Sequence, residues 1–165
     1  MNRGVKIIHL DEYHVFKKNT RLPQSLTKKY SLFAALKLKR AIHNEITISV
    51  ETTYVPSVSS PETGKFIFAY RIHIENESDY KVQLLSRAWH IIDSSLKSRF
   101  VEGEGVVGLQ PELEPGQSHV YESFCELQSP FGKMYGHYIF QRLPDNKKFA
   151  VQIPVFFLEY PMLLN

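Results

Sequence analysis

Cys125 is the only cysteine in the 165-residue chain, so no disulfide can form within it and zinc sites built from cysteine pairs are excluded. Long apolar runs are missing too. No stretch reaches the roughly 18 apolar residues that a membrane-spanning helix needs. The short apolar run near the N-terminus is flanked by Arg3 and Lys6 and closed by Asp11-Glu12 without a small-residue cleavage site, so it does not read as a signal peptide. The expectation is a cytoplasmic protein in a reducing compartment, with no membrane contact. Charged residues make up 22% and hydrophobic residues 43% of the chain, close to the averages for globular proteins, which argues against wholesale disorder.

What the chain does have is aromatic side chains, 13% of its residues, and most of them fall in short alternating runs. Ile46, Ile48, Val50 and Tyr54 alternate with Thr47, Ser49, Glu51 and Thr53, the pattern of a strand with one buried face. Phe66, Phe68, Tyr70, Ile72 and Ile74 repeat it, and Asn76-Glu77-Ser78-Asp79 supplies a turn. Val82 to Asp93 alternates less cleanly, as a strand covered on both faces or interrupted by a bulge would. Further strands are expected over Arg99 to Glu102, Val106 to Leu109, His119 to Leu127 and Lys133 to Arg142. A last one carries Phe149, Val151, Ile153, Val155 and Phe157 at alternate positions, with Pro154 inside it implying an edge or a bulge. Short strands with turn signals between them and no helical pattern predict an all-β chain, an antiparallel immunoglobulin-like or fibronectin type III-like β-sandwich over residues 46–165.

Residues 1–45 differ. They carry ten Lys or Arg against three acidic residues, whereas residues 46–165 carry ten against fourteen. Thr27 to Asn44 is rich in helix formers, with Leu32, Phe33, Ala35 and Leu36 on a broad apolar face. A basic, partly helical N-terminal extension is therefore expected. Its Lys17-Lys18, Arg21, Lys28-Lys29, Lys37, Lys39 and Arg40 raise a nucleic-acid contact through phosphate neutralisation, against the plainer alternative of a solvated basic helix.

The conspicuous motif is Gly103-x-Gly105-x-x-Gly108. It has the dinucleotide fingerprint without its context, because Leu109-Gln110-Pro111 follows where a helix must open to hold a pyrophosphate. The glycines still allow two readings: an anion-binding nest of backbone amides, or a tight turn that needs positive φ. Among the seven histidines, His9, His14, His43, His73, His90, His119 and His137, no pair has helical or chelating spacing with a carboxylate, so surface or satisfied core histidines are expected rather than a metal site. Cys125 has no general base near it in sequence, and burial as a small apolar residue is its ordinary outcome. Glu102, Glu104, Glu112 and Glu114 form an acidic loop region, read as solvated carboxylates because a paired acid and base would need fixed spacing and burial; Glu102 or Glu104 is the candidate ligand for a divalent ion beside the glycine loop.

From Val101 onward, the run Val101-x-Gly103-x-Gly105-Val106-Val107-Gly108-x-Gln110-Pro111 resembles the ApaG family. So do Leu113-x-Pro115-Gly116, Tyr121-x-Ser123 and Pro130-x-Gly132-x-Met134-x-Gly136-x-Tyr138. Upstream, Val50 to Tyr54, Phe68-Ala69-Tyr70 and Gln83 to Arg87 with Trp89 look like the family's opening strands, so the resemblance covers about residues 46–165. It implies a fibronectin-like sandwich; the residues themselves lead us to expect no catalytic residue and no cofactor. The bacterial family is linked to cobalt resistance and magnesium efflux, and related eukaryotic domains, in F-box and polymerase-interacting proteins, look like protein-interaction modules. The resemblance makes Gly103, Gly105 and Gly108 candidates for a phosphate, pyrophosphate or nucleotide site. The family's usual His before the tryptophan is Ala88 here. The expected function is non-enzymatic binding of a protein partner through the glycine loop and the neighbouring sheet face, an edge strand accepting a partner strand while exposed aromatics anchor it. Phosphate or nucleotide binding at the glycine loop, with metal-assisted phosphoanhydride hydrolysis as its catalytic form, is the alternative.

Overall fold

The computed structural model describes residues 39–161, all within one compact unit, Phe33–Asn165. Among them run nine strands: β1 Lys39–His43, β2 Ile46–Tyr54, β3 Phe66–Asn76, β4 Val82–Asp93, β5 Ser98–Glu104, β6 Glu112–Leu113, β7 Ser118–Leu127, β8 Phe131–Arg142 and β9 Lys147–Glu159. Every pairing between them is antiparallel. One sheet has the order β1-β2-β3-β7, and the other the order β5-β4-β8-β9, with β6 pairing β4. The two form the expected sandwich. The stretch read as helix ends differently, since Lys39–His43 pairs with Ile46–Val50 as a strand and sheet structure begins ahead of residue 46. The rest of that stretch, with the basic residues before Lys39, lies outside the described residues.

Period-two patterning explains the core. In β3, Phe66, Phe68, Tyr70, Ile72 and Ile74 are all buried, because alternate side chains of a strand share one face. Opposite them stand Trp89 and Ile91 of β4, Met134, Tyr138 and Phe140 of β8, and Phe156 of β9, also buried. Trp89 has its ring centroid 5.9 Å from Tyr70, 6.2 Å from Tyr138 and 5.8 Å from Phe156, so it touches rings from both sheets. The hydroxyls of Tyr121 on β7 and Tyr138 on β8 lie 2.5 Å apart, satisfying across the core two polar groups that burial would otherwise leave costly. Burial pushes both phenols above their ordinary range.

Two bulges break the alternation. In β4 the register shifts between Leu84 and Ser86, extruding Leu85 as the irregular pattern there allowed. In β9 the register shifts where Met134 faces Phe156 and Gly136 faces Ile153, which leaves Pro154 and Val155 opposite the single residue Tyr135. Proline cannot donate to the ladder, so pairing is interrupted there. The consequence overturns part of the sequence expectation. Val151 and Ile153 are buried as anticipated, but beyond the bulge the phase inverts: Phe156 and Leu158 are buried, and Val155 and Phe157 are exposed.

One carboxylate ties the far end of the sandwich together. Asp93, at the end of β4, is buried and accepts hydrogen bonds from the amides of Gln128 at 2.6 Å and Ser95 at 2.9 Å and from the Ser129 hydroxyl. Burial alone would raise its pKa, but these donors outweigh burial and hold the carboxyl below its usual value. A folded-state pKa below the unfolded one gives stability that is complete above about pH 4 and lost as pH falls through the folded value. Asp93→Asn is expected to cost about 1–2 kcal/mol near neutrality. It should also flatten the acid limb of a melting-temperature profile between neutral and strongly acidic pH. An unchanged acid limb would assign that limb to other carboxylates.

Candidate functional site

The three glycines of the motif occupy three different backbone environments. Gly103 lies in β5 directly across from Arg87, and a Cβ there would meet Arg87 Nη1 at 3.2 Å. The bare position lets the guanidinium lie across the strand, where Nη1 donates to the carbonyls of Glu104 at 2.9 Å and Gly105 at 2.8 Å. Gly105 has φ +54°, and a Cβ on it would sit 2.1 Å from the Leu109 carbonyl oxygen. Its amide donates at 2.8 Å to the carbonyl of Leu85, the residue extruded by the β4 bulge, and the Gln110 side-chain amide donates to the same oxygen at 2.7 Å.

Val106 and Leu109 exchange amide-to-carbonyl bonds of 2.8 and 3.0 Å around Val107, φ +49°, and Gly108, φ +76°. Two central residues with positive φ make this a two-residue hairpin turn of the primed kind. The strand expected over Val106 to Leu109 is thus a turn, because four residues closing on themselves leave no length for a ladder. The amides of Gly105, Val106 and Leu109 are committed to backbone carbonyls. Among the described residues, the amides of Val107 and Gly108 at the tip carry no such bond.

The acidic residues expected beside this loop do not converge. Glu102 and Glu104 are exposed on one face of β5, while Glu112 and Glu114 both pair with Lys81, at 2.8 and 3.0 Å. Among the described residues no group of three or more His, Cys, Asp or Glu side chains stands where it could hold a metal ion. Cys125 is buried, and its thiol is pushed up to about 12, chiefly by burial, so it stays protonated at neutral pH. His119 points between the sheets with Nε2 buried and unpartnered, and burial lowers its pKa. His73 lines a shallow hollow with Ser49, Glu51, Arg71 and Val120 on the other sheet's outer face. His9 and His14 lie outside the described residues.

The structure instead brings together a sheet face whose residues sequence reasoning could not name. On the outer face of the five-stranded sheet, Phe100 of β5, His90 of β4 and Tyr135 of β8 stand in register. Ring centroids are 4.9 Å apart in both pairs, with His90 and Tyr135 stacked at 13°. Beside this row, Phe131 of β8 stacks on Phe157 of β9 at 5.8 Å and 19°. Phe100 is 56% exposed, Val155 47%, Phe131 42% and Phe157 38%. Large apolar side chains gathered on one exposed face are unusual on a monomer and mark interaction surfaces. In the next row Ala88 lies between Glu102 and His137, so the face has no imidazole where the resemblance expects one. The signal that could have found this surface was Pro154, whose bulge turns Val155 and Phe157 outward.

Comparison with known proteins points one way. The family model described as the ApaG domain matches residues 56–142. Protein ApaG of Mesorhizobium japonicum is 43% identical over 122 residues, covering 74% of this chain and 93% of that protein. Protein ApaG of Vibrio vulnificus is 46% identical over 120 residues, covering 73% and 94%. Among solved structures, the ApaA protein of Bordetella pertussis superposes with a TM-score of 0.68 at 39% identity, covering 70% of this chain and 94% of that one.

Proposed function

Because the chain belongs to the ApaG domain family, whose sandwich here gathers exposed rings on one sheet, we propose that it is a non-enzymatic binding module for a protein partner. The contact surface is the outer face of the five-stranded sheet. One observation carries this: Phe100, His90, Tyr135, Phe131 and Phe157 lie on adjacent strands of a rigid sheet and point the same way. Rings held by strands lose little conformational freedom on contact, and aromatic residues dominate binding hot spots.

The test compares the full chain with a Phe100→Ala, Tyr135→Ala, Phe157→Ala variant as bait, scoring only proteins that the unaltered chain retains. Hot-spot residues are worth about 2 kcal/mol or more each, so the variant should retain those partners at least about 30-fold less well. Its melting temperature should stay close to that of the unaltered chain, since surface changes away from special features cost little. Equal retention by both baits would remove the sheet face as the binding surface.

The second contact the sequence raised, phosphate groups at the glycine turn, has support from the tip amides of Val107 and Gly108 and from the Arg87 charge anchored beneath the turn. As an anion site it is narrower than the motif implies. Gly103 and Gly105 serve it through the turn's shape rather than as donors.

A further inference from the structure

We infer that the partner segment recognised by this surface is basic and extended, and that it adds as a strand along the free edge of β5. The inference rests on the outer sheet face being the binding surface and specifies what occupies it. In the order β5-β4-β8-β9, β5 is the terminal strand, paired on one side only. Of its seven residues all but Val101 and Gly103 are exposed: Ser98, Arg99, Phe100, Glu102 and Glu104. An unpaired row of backbone donors and acceptors is a template for another strand.

Charge decides which strand. Phe100, Glu102 and Glu104 sit at alternate positions and so share the outer face, whereas Arg99 points the other way, reaching β7 to donate to the Glu126 carbonyl and lie 3.6 Å from Cys125 Sγ. Among the described residues the carboxylates of Glu102 and Glu104 have no ion-pair partner. An acidic or neutral strand laid beside β5 would leave both charges uncompensated at the new interface, while like charges directly opposite are unfavourable. A segment with two basic residues two positions apart places both side chains on the outer face beside Glu102 and Glu104. An aromatic or large apolar residue two positions further on then meets Phe100 and, behind it, the His90–Tyr135 stack. The same two-residue spacing that builds the sheet therefore sets the sequence it reads.

The β9 edge is a poorer template, because the Pro154 bulge interrupts its ladder and its Phe157 carbonyl takes a 3.3 Å hydrogen bond from Thr52 of the other sheet. On β7, Glu122 is already 3.7 Å from Arg71.

The probe is a fluorescein-labelled nonapeptide with arginine at two alternate positions, phenylalanine two positions further on and threonine elsewhere, titrated into the full chain. A second peptide has the same composition with the arginines adjacent. The alternating peptide should bind at least about fivefold more tightly than the adjacent one. Glu102→Lys with Glu104→Lys should weaken it at least about tenfold, since opposed like charges cut both association and residence. Hydrogen exchange should show newly protected amides along residues 98–104. Binding of the two peptides alike, indifference to the charge reversal, absence of binding at millimolar peptide, or preferential binding of a labelled oligothymidylate on this face would each overturn strand addition. If the peptide fails while the triple aromatic variant still loses its captured partner, only the strand-addition inference falls. If the variant keeps that partner, the surface itself is wrong.

Discussion

Truncating Trp89 to alanine is expected to lower the unfolding free energy by about 3–5 kcal/mol, a large share of the roughly 5–15 kcal/mol that holds a domain of this kind folded. The residue is 2% exposed and in ring contact with Tyr70 of β3, Tyr138 of β8 and Phe156 of β9. Three different strands meet on it, and none can follow a shrinking side chain without dragging its own ladder. The cavity therefore stays open and its lining loses dispersion contacts outright. Tyr138 also holds the Tyr121 hydroxyl at 2.5 Å, so loosening at Trp89 reaches the polar bridge between the sheets. Urea unfolding followed by far-ultraviolet circular dichroism checks this, because Trp89 is the chain's only tryptophan and its fluorescence disappears with the substitution. Trp89→Phe should cost well under half as much. A Trp89→Ala loss below about 1 kcal/mol would mean that the two sheets are held mainly elsewhere.

Ile46 to Tyr54 and Phe66 to Ile74 were legible to within a residue or two because their chemistry alternates without interruption, and the less regular run Val82 to Asp93 fits the bulge found at Leu85. Ile46 to Tyr54 and Val82 to Asp93 became β2 and β4 with the anticipated ends, and the Asn76 turn closes where expected, its side-chain amide donating to the carbonyls of Tyr80 and Leu113. Legibility failed where one residue changes the phase of all those after it. Pro154 marked an edge or a bulge, and β9 has both, but the pattern did not show that the bulge would turn Val155 and Phe157 away from the buried face of Val151 and Ile153. The β9 part of the candidate surface, Val155 and Phe157, therefore depended on a phase change that only Pro154 signalled. The row of Phe100, His90 and Tyr135 was hidden for another reason: register between strands distant in sequence follows from turns and bulges, not from composition. At the glycine motif the opposite happened. Its residues were conspicuous, and the tight-turn alternative carries most of their geometry.

Replacing Gly105 by alanine should cost about 3 kcal/mol or more, whereas Gly108→Ala should cost about 1–2. Both residues have positive φ, +54° and +76°, and a left-handed conformation alone costs a non-glycine residue roughly 1–2 kcal/mol. The difference lies in space. A Cβ on Gly105 would stand 2.1 Å from the Leu109 carbonyl oxygen, while a Cβ on Gly108 meets nothing within 4 Å. The Leu109 carbonyl accepts the Val106 amide, so moving it opens the turn, frees the amide of fully buried Val106 and disturbs the carbonyls that anchor Arg87. Thermal melts of the two variants should therefore separate by several degrees, with Gly105→Ala the lower. The contrast also separates shape from binding at this turn. Gly108→Ala keeps the fold while placing a methyl group beside the only two tip amides left to meet an anion. Titration with inorganic pyrophosphate, followed by the amide resonances of Val107 and residue 108, should then show weaker binding in Gly108→Ala than in the unaltered chain. Shifts that are absent from the unaltered chain at millimolar pyrophosphate would leave the three glycines with a backbone role alone.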